Sequence, residues 1–328
     1  MNAPAVIYAL RWLIADTFRQ TMTSRVFWIM LAISGLCTVF CLGVSIEGGA
    51  VRDGKELWAP DGSIMDAPRE TGRMSLLFGA FEVSFSREPK EQVHFLLSIF
   101  ASWIAGAIGI LATLVWTAGF VPEALDPSAA SVMLAKPVPR WLILTGKYLG
   151  VVAFVATQAT VFFVGTWAAL GIRTDEWEVG YLAGIPLMTF HFAVFFSMSV
   201  LIAVFFRSTT ACIVGTVLFW FLCYSVNYAR DFVLVYSDIC PSGEPVSAVS
   251  SFLSELGYWL LPKPADYTIM LEETLVLGNV KTTLGSQQPF ESVLRNGLFH
   301  PLASLATSAL FAVFMLWQAS SRLAKIDY

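Results

Sequence analysis

Long apolar runs alternate with shorter charged stretches along this chain. Six runs carry no Asp, Glu, Lys or Arg: Val26–Ile46, Phe95–Val121, Tyr148–Ile172, Val179–Phe206, Ser208–Ala229 and Gly297–Ser321. Each is at least 21 residues long, and a helix needs about 20 apolar residues to cross about 30 Å of hydrocarbon. Lipid offers no partner to an open backbone, so these runs must be helical. Pro186 inside the fourth run predicts a kink or a shifted start. Only Arg207 separates the fourth and fifth runs, which predicts a tight helical hairpin turning near 207–210. The expected fold is an all-α integral membrane protein of six transmembrane helices, forming a single domain over residues 1–328.

The polar stretches between the runs carry patterns of their own. In 4–24, taken as a helix, Val6, Ile7, Leu10, Leu13 and Ile14 fall within an arc of about 120°, with Arg11, Asp16, Arg19 and Gln20 off it. Too polar to span, this segment suits an interfacial helix on the inner leaflet. Of the two long loops, 47–94 and 230–296, the part 47–73 is rich in Gly, Asp and Pro and reads as irregular. Val246–Leu261 is apolar except for Glu255 and reads as a helix dipping into the outer interface, ended by Pro262 and Pro264. Orientation follows from basic residues near span ends. Long loops weigh little in that rule. Arg207 falls on one side, while the short loop 173–178 sets one arginine against Asp175, Glu176 and Glu178 on the other. Both termini are expected in the cytoplasm, in a multi-pass protein of a prokaryotic inner membrane.

Composition supports this reading. Apolar residues are 56% of the chain and charged residues 13%, against about 45–50% and about 25% in soluble domains. Mean hydropathy is +0.68. A net charge of −4 gives no general attraction to nucleic acid, so the lipid bilayer is the expected environment and nucleic acid is not a partner. Four of the five cysteines sit in apolar runs, where they read as small packing residues. The first run exceeds the roughly 7–15 residues of a signal-peptide core, so it reads as a retained span.

Chemistry is sparse. Intramembrane ionisable groups are the usual functional candidates, yet His191 is the one titratable basic residue well inside a run, His94 and His300 lying at run edges, and His191 reads as a packed histidine satisfied by neighbouring helices. That pattern argues against a proton- or sodium-coupled carrier. The chain has no HExxH and no pair of membrane aspartates. It has no GxxxxGK[ST] either, because Gly146-Lys147 is followed by tyrosine. Catalytic residues, metal ligands and cofactors are therefore not expected. Ala101, Ala105 and Gly109 form a small-xxx-small row suited to close helix packing.

The stretch from Glu123 to Gly150, EALDPSAASVMLAKPVPRWLILTGKYLG, breaks the apolar pattern. Pro122 is expected to end the second span. Asp126 can cap a helix with Pro127 at its first position, predicting a short helix over Ser128–Ala135. Pro137 and Pro139 then act as stiff hinges. The orientation places 122–147 in the cytoplasm, with Lys147 at head-group level. A capped helix between hinges exceeds what a topology signal needs, and it offers another protein a surface.

The same stretch resembles the coupling-helix region of ABC-2 type transporter permeases, whose pattern runs from an acid cluster through Gly-Thr-Leu and Pro-Val-Ser-Arg to Gly-Lys-Tyr/Phe-Leu-Gly. Pro137-Val138-Pro139-Arg140 and Gly146-Lys147-Tyr148-Leu149-Gly150 match it. Ser128-Ala129-Ala130 departs from it, and Pro139 replaces the usual serine. The long first outer loop is similar to that of NosY-type permeases within the family. The resemblance implies a transmembrane subunit, as a homodimer or paired permease, driven by separate cytoplasmic ABC ATPase subunits, usually for export. It implies an ATPase-docking surface of Glu123, Asp126, Ser128, Lys136, Pro137 and Arg140. Two alternatives stand beside it: a membrane scaffold or assembly factor worked by an ATPase without transport, and a membrane enzyme with its site in the outer loops. If the orientation holds, a reporter fused after Tyr328 will fluoresce as a cytoplasmic green protein and stay inactive as a periplasmic phosphatase. The opposite pattern reverses the topology.

Overall fold

The computed structural model describes residues 3–47, 57–58, 64–65, 72–85, 89–124, 139–239, 247–275 and 299–325. Six helical segments within these residues are long and apolar enough to span a bilayer, as an all-α integral membrane protein requires. Helix α1 (Ala3–Met22) precedes the first span, α2 (Arg25–Leu42), whose N-terminus is capped by Ser24 Oγ accepting from the Phe27 amide. The span ends at Leu42, short of the expected Ile46, because Ser45–Glu47 leaves the helix as strand β1. Four more strands follow: β2 (Leu57–Trp58), β3 (Ile64–Met65), β4 (Gly72–Leu76) and β5 (Phe81–Phe85). β1, β4 and β5 form an antiparallel sheet in that order, and β2 pairs with β3. The expectation that 47–73 is irregular is thus corrected for its described residues. Ile46, Met74 and Leu76 pack onto the helix ends around Cys41 and Val44, and strand pairing satisfies the backbone that this burial takes from water.

The second span is a broken rod. It comprises α3 (Pro89–Ser98), a π-helical segment (Ile99–Gly109), α4 (Ile110–Thr117) and α5 (Phe120–Ala124). Pro122 does not end it, contrary to the sequence expectation. Pro122 sits in the first turn of α5, where a missing N–H removes no intrahelical bond. The small-residue row points into the chain itself: Ala101 and Ala105 are buried against Ala159 and Phe162.

Helix α6 (Arg140–Thr174) is the third span, and its 35 residues make it the axis of the molecule, about 52 Å long. It starts eight residues before the apolar run. Asp175, in the left-handed region at φ 59°, closes it. A 3-10 turn over Val179–Ala183 leads to α7 (Gly184–Phe206), so Pro186 falls in the first turn and produces the shifted start rather than a kink. Arg207, at φ 49°, makes the expected tight turn into α8 (Thr209–Ile239), which runs ten residues beyond Ala229. The remaining helices are α9 (Ala248–Leu260), α10 (Pro264–Leu275) and the sixth span, α11 (Pro301–Ala324). Helix α9 matches the helix expected over Val246–Leu261, with its end before the prolines.

Two apolar cores divide along α6. One gathers Leu144, Tyr148 and Phe154 with Phe192, Phe196 and Leu323. The other gathers Phe162, Phe163 and Leu170 with Cys41, Phe100 and Tyr181. Helix α1 seals the first core by lying along α6. A Cβ added at Gly146 would stand 2.7 Å from the Leu13 Cβ, and one at Gly150 would stand 2.6 Å from the Thr17 Cβ. Only glycine permits that approach. Lys147, between them, is buried and donates to Gln20 Oε1 at 3.0 Å. Helix α1 therefore covers Lys147. Gly150→Val should push α1 off α6 at about 1–3 kcal/mol, the usual penalty of overpacking. Thermal unfolding in detergent and proteolysis at 22–25 would read the loss, and wild-type behaviour in both would mean that α1 does not depend on this contact.

Candidate functional site

One end of the bundle, where α1 lies, carries the ends of the helices that bracket the predicted docking segment. Residues 125–138, with Asp126, Ser128, Lys136 and Pro137 among them, lie outside the described residues. Glu123 and Arg140 mark its two edges. Glu123 is exposed on α5, its amide bonded to the Gly119 carbonyl at 3.0 Å. Pro139 holds extended backbone (φ −63°, ψ 140°) and starts α6, whose first residue is Arg140. The half-buried Arg140 guanidinium donates to the Leu323 carbonyl at 3.3 Å. A cation there meets the negative end of α11, so the start of the third span is pinned to the end of the sixth. Beside it Arg322 sits 4.7 Å over the Phe205 ring, and Arg207 is exposed in the hairpin turn. Among the described residues this end is basic, with Asp16 on α1 and Glu123 on α5 as acids near Lys147.

Residues 11–237 match the family model described as ABC-2 family transporter protein. The match covers more than two thirds of the 328 residues. The chain belongs to the ABC-2 transporter family. No individual curated protein matches it. The family match starts inside α1 and ends inside α8, taking in five spans and the whole 122–147 segment. As an ABC-2 family member, the protein is a multi-pass permease subunit of an ABC transporter. It is a transport component rather than an enzyme in itself, and its partner is an ATPase subunit.

At the opposite end of this ABC-2 chain stands a buried ionic cluster that the pattern of apolar runs hid. Arg230 and Asp231 lie on α8 just past the charge-free run, joined at 3.2 Å. Arg230 also bonds Glu255 on α9 at 3.2 Å and stacks 4.1 Å over the Tyr258 ring. Tyr258 donates to Asp266 Oδ2 at 2.7 Å, while Asn227 donates to Asp266 Oδ1 and accepts from the Ala265 amide, both at 3.1 Å. Lys263 is completely buried and donates to Thr307 Oγ1 on α11 at 2.6 Å. Burial, with Asp266 alongside, pushes the Tyr258 phenol up, so it stays a donor. The cluster locks the α9–α10 hairpin onto α8 and α11. Its signals were present in the sequence as Glu255 in an apolar helix and Lys263 and Asp266 around prolines, but only the folded hairpin brings them to Arg230. His191 is also buried. It stacks on Tyr267 at 4.5 Å between ring centroids, yet its Nε2 has no hydrogen-bond partner. The expectation of a satisfied histidine is thus corrected to one held by ring packing.

Burial lowers the Lys263 ammonium to about 8 from its usual value near 10.5. The unfolded lysine therefore binds more protons than the native one between those two values, and stability rises with pH across that window. The rise is at most about 3 kcal/mol, fully withheld below about pH 8. Thermal unfolding in detergent from pH 7 to 10 should show this slope, and Lys263→Met should flatten it. An unchanged slope in the variant would mean that Lys263 is hydrated in the native protein.

Proposed function

We propose that this chain is the membrane half of an ATP-driven exporter, paired with a second permease copy and worked by two separate cytoplasmic ATPase subunits that dock on residues 122–147. Glu123, Asp126, Ser128, Lys136, Pro137 and Arg140 form the docking surface. Both termini lie in the cytoplasm, and the membrane is the inner membrane of a prokaryote. ATP-driven closure of the ATPase pair pushes the docking segment, and the push travels outward through α5 and α6. The absence of carboxylates and lysines from the middle of the spans favours an apolar or amphiphilic cargo over a proton-coupled one.

The observation that carries this reading is the family match over 11–237, which brackets the docking segment between two spans. The fold adds a mechanical argument. Helix α6 begins at Arg140, directly after the segment, and runs unbroken for 35 residues. It contacts both apolar cores, and the Arg140–Leu323 bond ties its first turn to the last turn of α11. Force applied at Pro137–Arg140 therefore meets a stiff rod and not a loop.

Co-purification of the ATPase partner with the permease tests the proposal. Lys136→Glu, Arg140→Glu and deletion of 126–136 should each lower recovery of the ATPase at least tenfold. Lys136→Glu is the decisive variant, because Arg140 also bonds Leu323. The variants must keep the wild-type melting profile to count. Full recovery of the complex after both Lys136→Glu and the deletion would overturn the docking assignment.

A further inference from the structure

Midway along the spans, a cleft of about 120 Å³ opens between α2, the π-helical segment, α6 and α7. Its mouth faces the hydrocarbon. Ile33 and Ile108, which line it, are 44% and 62% exposed. Its floor holds an amide. Gln158 on α6 is nine-tenths buried, donating from Nε2 to Ser34 Oγ at 3.1 Å, while its Oε1 has no partner. Turning the amide over would satisfy the oxygen and strand the nitrogen, so one polar atom stays open either way. Gln158 is the 19th residue of the 35 in α6, about 27 Å from the helix start, a depth at which the bilayer supplies no water to fill the vacancy.

The backbone at the cleft is also special. Ile99–Gly109 is an eleven-residue π-helix. π-helical turns are rare and concentrate at functional sites. At Gly109, on the cleft wall, a Cβ would stand 2.8 Å from the Ile104 carbonyl oxygen and 3.4 Å from the Met188 Cε, so the widened turn and the missing side chain keep this space open. Met188 is the adaptable side chain at the back of it.

The geometry points to a binding site for a lipophilic phenol: an apolar ring in the cleft, its hydroxyl on the Gln158 amide, its alkyl tail leaving between Ile33 and Ile108 into lipid. The volume sets the size of the buried part. A dry cavity of about 150 Å³ holds one benzene ring, whereas whole drug-sized ligands take about 300–1,000 Å³. A bare acyl chain would fill the cleft but leave the amide open, and a charged head would be stranded in hydrocarbon. The ring with one hydroxyl satisfies both the volume and the open polar atom. As a binding site this stands on the cleft alone; as a cargo site it rests on the exporter reading.

The test uses the full-length permease in lipid nanodiscs without ATP or ATPase, labelled by a photoreactive 4-alkylphenol and by the matching alkylbenzene. The phenol should label saturably, on peptides containing Ile33, Ile108 or Met188, at concentrations at least tenfold below the alkylbenzene. Gln158→Leu should abolish that preference and Ala105→Phe should block labelling, each with its melting profile checked. Equal labelling by the two probes, or a preference surviving Gln158→Leu in a folded variant, would overturn the site. So would crosslinks from Ile108 to a second copy of the chain, which would make the cleft an interface. In the assembled transporter, ATPase stimulation by the phenol that is lost in Gln158→Leu supports a cargo role. Saturable labelling without stimulation keeps the site and sinks the cargo role.

Discussion

Hydrocarbon leaves a polar group no water to fall back on, and the architecture follows from that. Each backbone amide in a span must find a carbonyl within its own helix, which limits the bilayer part to helices and sends the strands to the ends. The same constraint governs hydroxyls. Thr38 donates to the Ser34 carbonyl, Thr113 to Gly109, Thr117 to Thr113, Thr166 to Phe162 and Thr189 to Ile185, at 2.6 to 2.9 Å. With their hydrogens spent on carbonyls four residues back, these threonines can sit inside a span. Gln158 Oε1, Trp167 Nε1, His191 Nε2, Thr216 Oγ1 and Trp220 Nε1 are among the buried groups of the described spans that escape the rule.

Between lipid and lipid-like side chains there is little hydrophobic gain, so helices here hold together by fit and by polar contacts. Helix α6 shows both. Gly146 and Gly150 bring α1 to within side-chain contact, and Lys147 and Gln158 reach Gln20 and Ser34 on two different helices. Charges are driven to the two ends and treated differently there. At the α1 end Arg140 and Arg322 rest on a helix terminus and a ring face. At the other end Arg230, Asp231, Glu255, Lys263 and Asp266 close on one another, a cluster in which losing one partner would strand the rest. The permease is thereby latched at that end.

The spans were legible in the sequence because absence of charge over some 20 residues is a direct readout of solubility in hydrocarbon. Most of their ends were not, the fourth span, Val179–Phe206, being the exception. Apolarity says where lipid is tolerated, whereas a helix continues as long as its hydrogen bonds do. Helix α6 therefore starts at Arg140 and α8 ends at Ile239, both outside the apolar runs. Pro122 was read as a break and Pro186 as a kink or a shifted start; each falls in a first turn where its missing N–H does no harm, so of these only the shifted start holds. The hairpin at Arg207 could be read correctly, since one charged residue between two spans leaves no room for anything longer.

The candidate site divides in the same way. Glu123 and Arg140 could be named from motif and spacing, and the family match confirms the kind of protein that carries them. Sequence by itself determined the number of spans, the membrane environment and the family, since these depend on local composition and a short motif. Tertiary structure alone decided that Lys147 lies under α1, that the Ala101–Ala105–Gly109 row faces inward, and that Gln158 is left with an open polar atom in a lipid-facing cleft. It also gathered the Arg230 cluster. The reason is physical: burial and pairing belong to residues from different helices, and nothing in a single run records which neighbour will stand opposite.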